Sequence, residues 1–271
     1  MSKTLLIGCG HMGTALVMSW LNLKAYSFTV VDPYNFIKLK KQFKSKKINI
    51  LKKTPNQKDM KTFDIIIFAV KPQNANDVLN EYENFELKKN VLIGSIIAGK
   101  KINFFKKRIK NTNQFVRIMP NMPALIRNGI SCFVSRSNLS LSNKKKLNEL
   151  FLQVGKTVWL KSENQIDKAT AVSGSGPGYI FTLIHAFEKA AQKLGFSKSQ
   201  SRDLISSTML GSILLMQETR KEPNELAKEI AVKGGTTEAG IKNLQNNNID
   251  KIIFKTYISA YNRAKVLGKK N

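Results

Sequence analysis

Short apolar runs that end abruptly in glycine or polar residues dominate the first part of the chain: TLLIG at 4–8, FTVVD at 28–32, DIIIFAV at 64–70, VLIGSI at 91–96 and FVRIM at 115–119. Runs of this length, rich in β-branched residues and without polar alternation, predict strands covered on both faces. The stretches between them repeat apolar positions at helical spacing, over His11–Leu23, Asn35–Ser45, Asn74–Phe85 and Lys100–Lys107. Strands alternating with helices in this way predict an α/β fold in which crossover helices cover a parallel sheet. GISCFV at 129–134, a helix over Ser142–Val154 and TVWL at 157–160 predict the finishing edge of that sheet.

Past Leu160 the strand-like runs stop and long helical periods take over, so the predicted division is a sheet domain over 1–160 and an all-α domain over 161–271. YIFTLIHAFEKAAQKLG sets Ile180, Leu183, Ile184, Phe187, Ala190 and Ala191 on one broad face and ends at Gly195, as a left-handed C-cap does. Ser197 or Ser199 is placed to cap the next helix, and a last helix over Asp250–Leu267 carries Ile253, Tyr257 and Tyr261 on one stripe. Apolar faces this wide on so short a domain call for a covering surface. The expected cover is a second copy of the chain, in a homodimer or a larger symmetric homo-oligomer.

Composition narrows the class. Hydrophobic residues make up 42% of 271 residues, enough for packed cores, and no run approaches the roughly 20 apolar residues that span a bilayer. The start, MSKTLLIGCG, reads as a buried strand and not as a secretion signal, so no membrane partner and a cytoplasmic location are expected. Cys9 and Cys132 stand alone in apolar surroundings, and His11 and His185 are far apart, so neither a disulfide framework nor a metal site is predicted. The formal charge of +27 invites a nucleic-acid reading. Its lysines are spread over polar faces, even in the dense FIKLKKQFKSKKINILKK at 36–53, so solvated faces that steer an anionic small molecule are the simpler expectation.

Chemistry enters at IGCGHMG, where Gly8, Gly10 and Gly13 follow a strand and open a helix. Each glycine has a separate physical task there: a tight turn at Gly8, close backbone approach to a pyrophosphate at Gly10, and helix-to-strand packing at Gly13. His11 and Met12 complete the loop beside the phosphates. This is the dinucleotide signature of a Rossmann-type domain, with NADH or NADPH as the expected cofactor. Asp32 ends the second strand about 20 residues on, where a carboxylate accepts the adenosine ribose hydroxyls; it tilts the expectation towards NADH, against Lys38 on the following helix. Ala69, Val70, Lys71 and Pro72, and later Met119, Pro120 and Asn121, follow strands at the carboxyl edge where such sheets hold ligands, and are further candidate cofactor contacts. Lys71 precedes a proline, which suits a contact better than covalent chemistry.

Two glycine-rich breaks interrupt the helical half: SGSGPGY at 173–179 and AVKGGTTEAGI at 231–241. Together IGCGHMG, AVKPQ, RIMPNMPALIRNGIS, DKATAVSGSGPGYIF and KGGTTEAGI occur in one order over nearly the whole chain, and in that order they resemble the pyrroline-5-carboxylate reductase family. The resemblance implies a Rossmann domain followed by a helical domain that intertwines with a second subunit. The implied activity is reduction of the ring imine of 1-pyrroline-5-carboxylate, a small-molecule substrate, to L-proline with NADH or NADPH. It implies a substrate carboxylate held by Gly234, Gly235 and Thr236, with Ser175 close by, and Thr237 as the catalytic donor to the ring nitrogen. Departures are Val232 and Lys233 where the family usually reads Ser-Pro, Met122 for a threonine, and Gly178 for an alanine. The first two keep open a related reductase acting on another cyclic imine or a keto acid. A nucleotide-sensing or nucleic-acid-binding protein on the same fold is the non-enzyme alternative.

Overall fold

A computed structural model describes residues 1–44, 46–136 and 139–269. Ser45, the predicted end of one helix, and the last two residues of the predicted helical domain lie outside the described residues. The chain forms two compact units, one of residues 1–175 together with the chain from Ala260 onward, the other Gly176–Ser259.

The first unit is built on an eight-stranded sheet: β1 (Ser2–Ile7), β2 (Tyr26–Val31), β3 (Ile48–Leu51), β4 (Ile65–Phe68), β5 (Leu92–Ser95), β6 (Phe115–Met119), β7 (Gly129–Val134) and β8 (Gly155–Trp159). Their spatial order is β3-β2-β1-β4-β5-β6-β7-β8. Neighbours run parallel except β6 and β7, which are antiparallel. Between the strands lie α1 (His11–Trp20), α2 (Phe36–Gln42), α3 (Gln57–Met60), α4 (Ala75–Asn80), α5 (Ile102–Lys106) and α6 (Leu141–Leu152), and α7 (Glu163–Ala169) follows β8.

The uninterrupted apolar runs have a direct cause. In β4, Ile65 and Ile67 point into a core with Trp20 of α1, Leu39 of α2 and Phe151 of α6, while Ile66 and Phe68 point into a second core with Met60, Leu79, Phe105 and Ile166 of the helices on the opposite face. With both faces covered, alternation between apolar and polar residues has no place. β3 departs from the sequence expectation, which named no strand there. It is a four-residue edge strand in a lysine-rich stretch, and only its Ile50 is buried.

A charge buried in β6 was not legible either. Arg117 is buried, and donates to Asp167 of α7 at 2.7 Å with Glu163 3.9 Å from its other terminal nitrogen. Glu163 also accepts the Ile102 N–H at 2.8 Å and pairs with Arg136 at 2.9 Å. Removing one partner from such a cluster leaves a buried charge uncompensated, which typically costs about 3–5 kcal/mol. The cluster fixes α7, which leads into the segment over 170–175.

The second unit contains α8 (Gly176–Lys193), α9 (Lys198–Thr219), α10 (Pro223–Ile230), α11 (Thr236–Asn246) and the first part of α12 (Ile249–Lys269), whose remainder belongs to the first unit. Gly195 takes φ +101° after α8, and Ser197 caps α9 in a reciprocal box with Gln200. Within 176–259 only Ala191 and Ser201 are buried, while Phe181, Leu210, Ile213, Leu214 and Phe254 stand exposed.

Candidate active site

The glycine loop sits where the strand order changes direction, β1 being flanked by β2 on one side and β4 on the other. Such switch points open a crevice at the carboxyl ends of the strands. Gly8 takes φ +88°, and a Cβ there would lie 2.9 Å from the Ala69 carbonyl oxygen at the end of β4. A Cβ at Gly13 would lie 2.8 Å from the Gly8 carbonyl oxygen, so the helix approaches the loop only because that atom is missing. Around Gly10 a Cβ would meet nothing within 4 Å. Gly10 has no side chain to cap α1, and the first N–H groups of a helix lack intrahelical acceptors. An open backbone position at an uncapped helix start fits a pyrophosphate. His11 is exposed and Met12 half-buried at that same start.

Asp32 is 5% exposed. One of its oxygens, Oδ2, accepts the Cys9 N–H at 2.7 Å and the Asn35 side-chain amide at 3.0 Å; the other, Oδ1, accepts the N–H groups of Tyr34 at 3.0 Å and Asn35 at 2.8 Å. A carboxylate offers about four lone-pair sites, and four donors from the chain itself occupy them. The expectation of a carboxylate open to ribose hydroxyls, and the tilt to NADH drawn from it, thereby lose their geometric basis. Burial pushes the Cys9 thiol up to about 11, the Thr14 hydroxyl opposing and Asp32 adding to the shift, which favours the protonated form.

Beyond β4, Ala69 and Val70 are half-buried against the glycine loop, while Lys71 and Pro72 are exposed where a short turn begins. Met119, which ends β6, and Pro120 just beyond it are buried. The Asn121 side chain is occupied within the chain: its oxygen accepts the Ile130 N–H at 2.8 Å and its amide donates to the Ser173 carbonyl at 3.2 Å. That bond joins the loop after β6 to the segment ahead of α8. There the Ser175 N–H reaches the Thr170 carbonyl five residues back at 2.8 Å, a wider turn than an α-helix makes, and wide turns of this kind recur at functional sites. Ser175 itself is half-buried, and Gly174 lies against the Met119 sulfur.

The turn over 232–237 belongs to the second unit. Gly234 takes φ +75°, and Gly235 caps α11 where a Cβ would lie 2.9 Å from the Val232 carbonyl oxygen. Both positions therefore need glycine for different reasons, conformation in one case and space in the other. The N–H of Gly234 donates to Glu238 at 2.8 Å and that of Gly235 to Val232 at 2.9 Å. These two donors, expected to face a substrate carboxylate, are engaged within the turn. What stays open is the first turn of α11, where the N–H groups of Thr236 and Thr237 lack intrahelical acceptors. Thr236 is exposed and Thr237 half-buried. Val232 and Lys233 are both exposed.

A family model described as pyrroline-5-carboxylate reductase dimerisation matches residues 163–267, and one described as NADP oxidoreductase, coenzyme F420-dependent, matches residues 3–99. The chain is 35% identical over 206 residues to a pyrroline-5-carboxylate reductase of Pseudomonas aeruginosa, covering 76% of this chain and 75% of that one. To its counterpart in Methanosarcina acetivorans it is 32% identical over 270 residues, with 97% of each chain covered. Among solved structures, the pyrroline-5-carboxylate reductase of Coxiella burnetii gives a TM-score of 0.86 at 28% identity, with 98% of both chains covered. The Plasmodium falciparum pyrroline carboxylate reductase, solved with NADP bound, gives 0.82 at 27% identity and the same coverage.

Proposed function

Because the chain belongs to the pyrroline-5-carboxylate reductase family, we propose that it reduces 1-pyrroline-5-carboxylate to L-proline with NADH or NADPH. A nucleotide held there would supply the hydride from its nicotinamide ring. The chain's own residues bind, orient and donate. Gly10 leaves room at an uncapped helix start for the pyrophosphate, with His11, Met12 and Gly13 forming the first helical turn around it. Ala69 to Pro72 and Met119 to Asn121 line the same carboxyl edge of the sheet as further nucleotide contacts. Between the two nucleotides the sequence favoured NADH on Asp32 alone, and the four internal donors on that carboxylate withdraw the support.

The observation that carries the substrate reading to individual residues is the turn ahead of α11, where a positive φ at Gly234 and an N-cap without a side chain leave backbone donors at a helix start. A helix start of this kind holds a carboxylate. Thr236 and Thr237 supply the backbone donors, Gly234 and Gly235 set their direction, and the Thr237 hydroxyl faces the ring nitrogen, where the proton must be held as the imine is reduced.

A homodimer or a larger symmetric assembly is part of the same reading, supported by a helical unit that buries almost nothing within its own chain. No helix among the described residues is long and apolar enough to cross a membrane, and both cysteines are free; we place the enzyme in the cytoplasm. The direct test is oxidation of NADH or NADPH on addition of 1-pyrroline-5-carboxylate, followed by loss of nicotinamide absorbance. Absence of turnover with both nucleotides would sink the proposal.

A further inference from the structure

The side chain that ends β2 is built into the protein in a way its sequence position did not announce. Its neighbours fix what it does. Cys9 lies between Gly8 and Gly10, and its N–H points at the Asp32 carboxylate; Tyr34 and Asn35 lie in the turn that leads from β2 into α2, and their N–H groups converge on the same carboxylate. One residue therefore ties the nucleotide loop after β1 to the turn after β2. The Gly8 N–H adds a second tie to the Val31 carbonyl at 2.8 Å, one residue before Asp32. Three backbone donors and one amide on a buried carboxylate are charge-assisted hydrogen bonds, the stronger kind, and they hold a loop whose glycines otherwise leave it conformationally loose.

We propose that Asp32 is a positioning residue of the nucleotide site, fastening the glycine loop to the turn after β2, and that the choice between NADH and NADPH rests on other side chains. The inference builds on the reductase reading. With its oxygens turned inward, the carboxylate presents no spare acceptor to a ribose hydroxyl, its lone pairs being taken by four donors of the chain itself. The exposed charged side chains on α2 and just beyond the parallel strand β3 are cationic, Lys38, Lys40, Lys41, Lys52 and Lys53. A field of that sign attracts a phosphate. NADPH is accordingly accepted at least as well as NADH.

The test is direct binding of NAD+, NADP+, 5′-ADP and 2′,5′-ADP to the full-length chain by titration calorimetry, in the wild type and in Asp32→Asn. Asparagine keeps the shape but turns an amide donor towards donors that need an acceptor, so the loop loses its fastening. Positioning predicts that Asp32→Asn weakens all four ligands by a similar factor of about tenfold or more, leaving the NAD+ to NADP+ ratio within about twofold of wild type. A variant that loses NAD+ while gaining NADP+ and 2′,5′-ADP would show a ribose-discriminating acid and overturn the inference. A folded variant whose four affinities are all unchanged would also overturn it, since the residue would then support only the fold. If Asp32→Asn does not fold, the wild type alone decides: NADP+ bound at least as tightly as NAD+ supports the inference, and NAD+ bound more than about tenfold tighter defeats it. A wild type that binds neither nucleotide defeats the reductase reading and this inference with it.

Discussion

The two units of the chain use apolar residues in opposite ways. In the first, Trp20, Phe68, Phe133 and Phe151 disappear into two cores on the two faces of one sheet. In the second, α8 and α9 carry Phe181, Phe187, Leu210 and Leu214 into the open, and among 176–259 only Ala191 and Ser201 are buried. Fully burying a leucine or phenylalanine side chain contributes about 1.5–3 kcal/mol, a term the first unit collects within one chain and the second does not. Helix propensity and caps such as the Ser197 box cannot replace it, because tertiary packing supplies most helical stability. The first unit is thus stabilised by its own sequence, whereas the second depends on a surface supplied from outside itself.

The sharpest way to break this comparison is to charge the exposed face of α9. Leu210→Glu with Leu214→Glu puts two carboxylates one helical turn apart on that face. We expect association to weaken by at least a thousandfold, about 4 kcal/mol, read by sedimentation over a range of concentrations. Leu141→Glu on α6 of the first unit, where the side chain is 85% exposed, is the control and should change stability by no more than about 0.5 kcal/mol. A double variant that sediments like wild type would make the α9 face ordinary surface.

The mirror experiment is Ile67→Ala in β4. The side chain is fully buried between the sheet and α1, so the loss should be about 3 kcal/mol in denaturant unfolding, with subunit number unchanged in the folded protein. Dissociation at full first-unit stability would be the contrary result.

How much of this was readable beforehand follows the same division. The buried strands were legible because coverage on both faces writes itself as unbroken apolar runs, DIIIFAV being the clearest. The glycine loop was legible because each glycine answers to a local demand, as the 2.8 Å approach at Gly13 bears out. β3 was hidden because an edge strand of four residues among lysines imposes almost no pattern. The internal partners of Asp32 and Arg117 were out of reach of the sequence for a different reason: Cys9 and Asp167 are brought to them only by the fold. The 232–237 turn was half legible. Its two glycines signalled a tight turn, but nothing in their order says that the Gly234 N–H is taken by Glu238.

The chemistry proposed for the second unit rests on the Thr237 hydroxyl and not on packing, so a small deletion tests it. Thr237→Ala should lower turnover by about tenfold or more, as expected for loss of one oriented donor, and leave the affinity for nucleotide unchanged. Unchanged turnover would remove Thr237 from the mechanism, and a parallel loss of nucleotide affinity would show that the substitution acts beyond the turn.

The smallest expected effect lies next to it. The Gly234 N–H and then the Lys242 ammonium hold the Glu238 carboxyl below the usual glutamate range. A carboxylate whose folded value is depressed contributes stability above its unfolded value, and that contribution disappears as pH falls through the folded one. Glutamine keeps an acceptor for the Gly234 N–H but drops the charge. Glu238→Gln should therefore melt slightly below wild type at neutral pH, and the gap should close on acidification through the glutamate range; a gap that persists unchanged in acid would exclude the charge as its source. Substrate KM in the same variant locates the donors. If Thr236 and Thr237 hold the carboxylate, KM stays within about twofold of wild type, whereas a rise beyond about tenfold would bring Gly234 and its glutamate partner back into substrate binding.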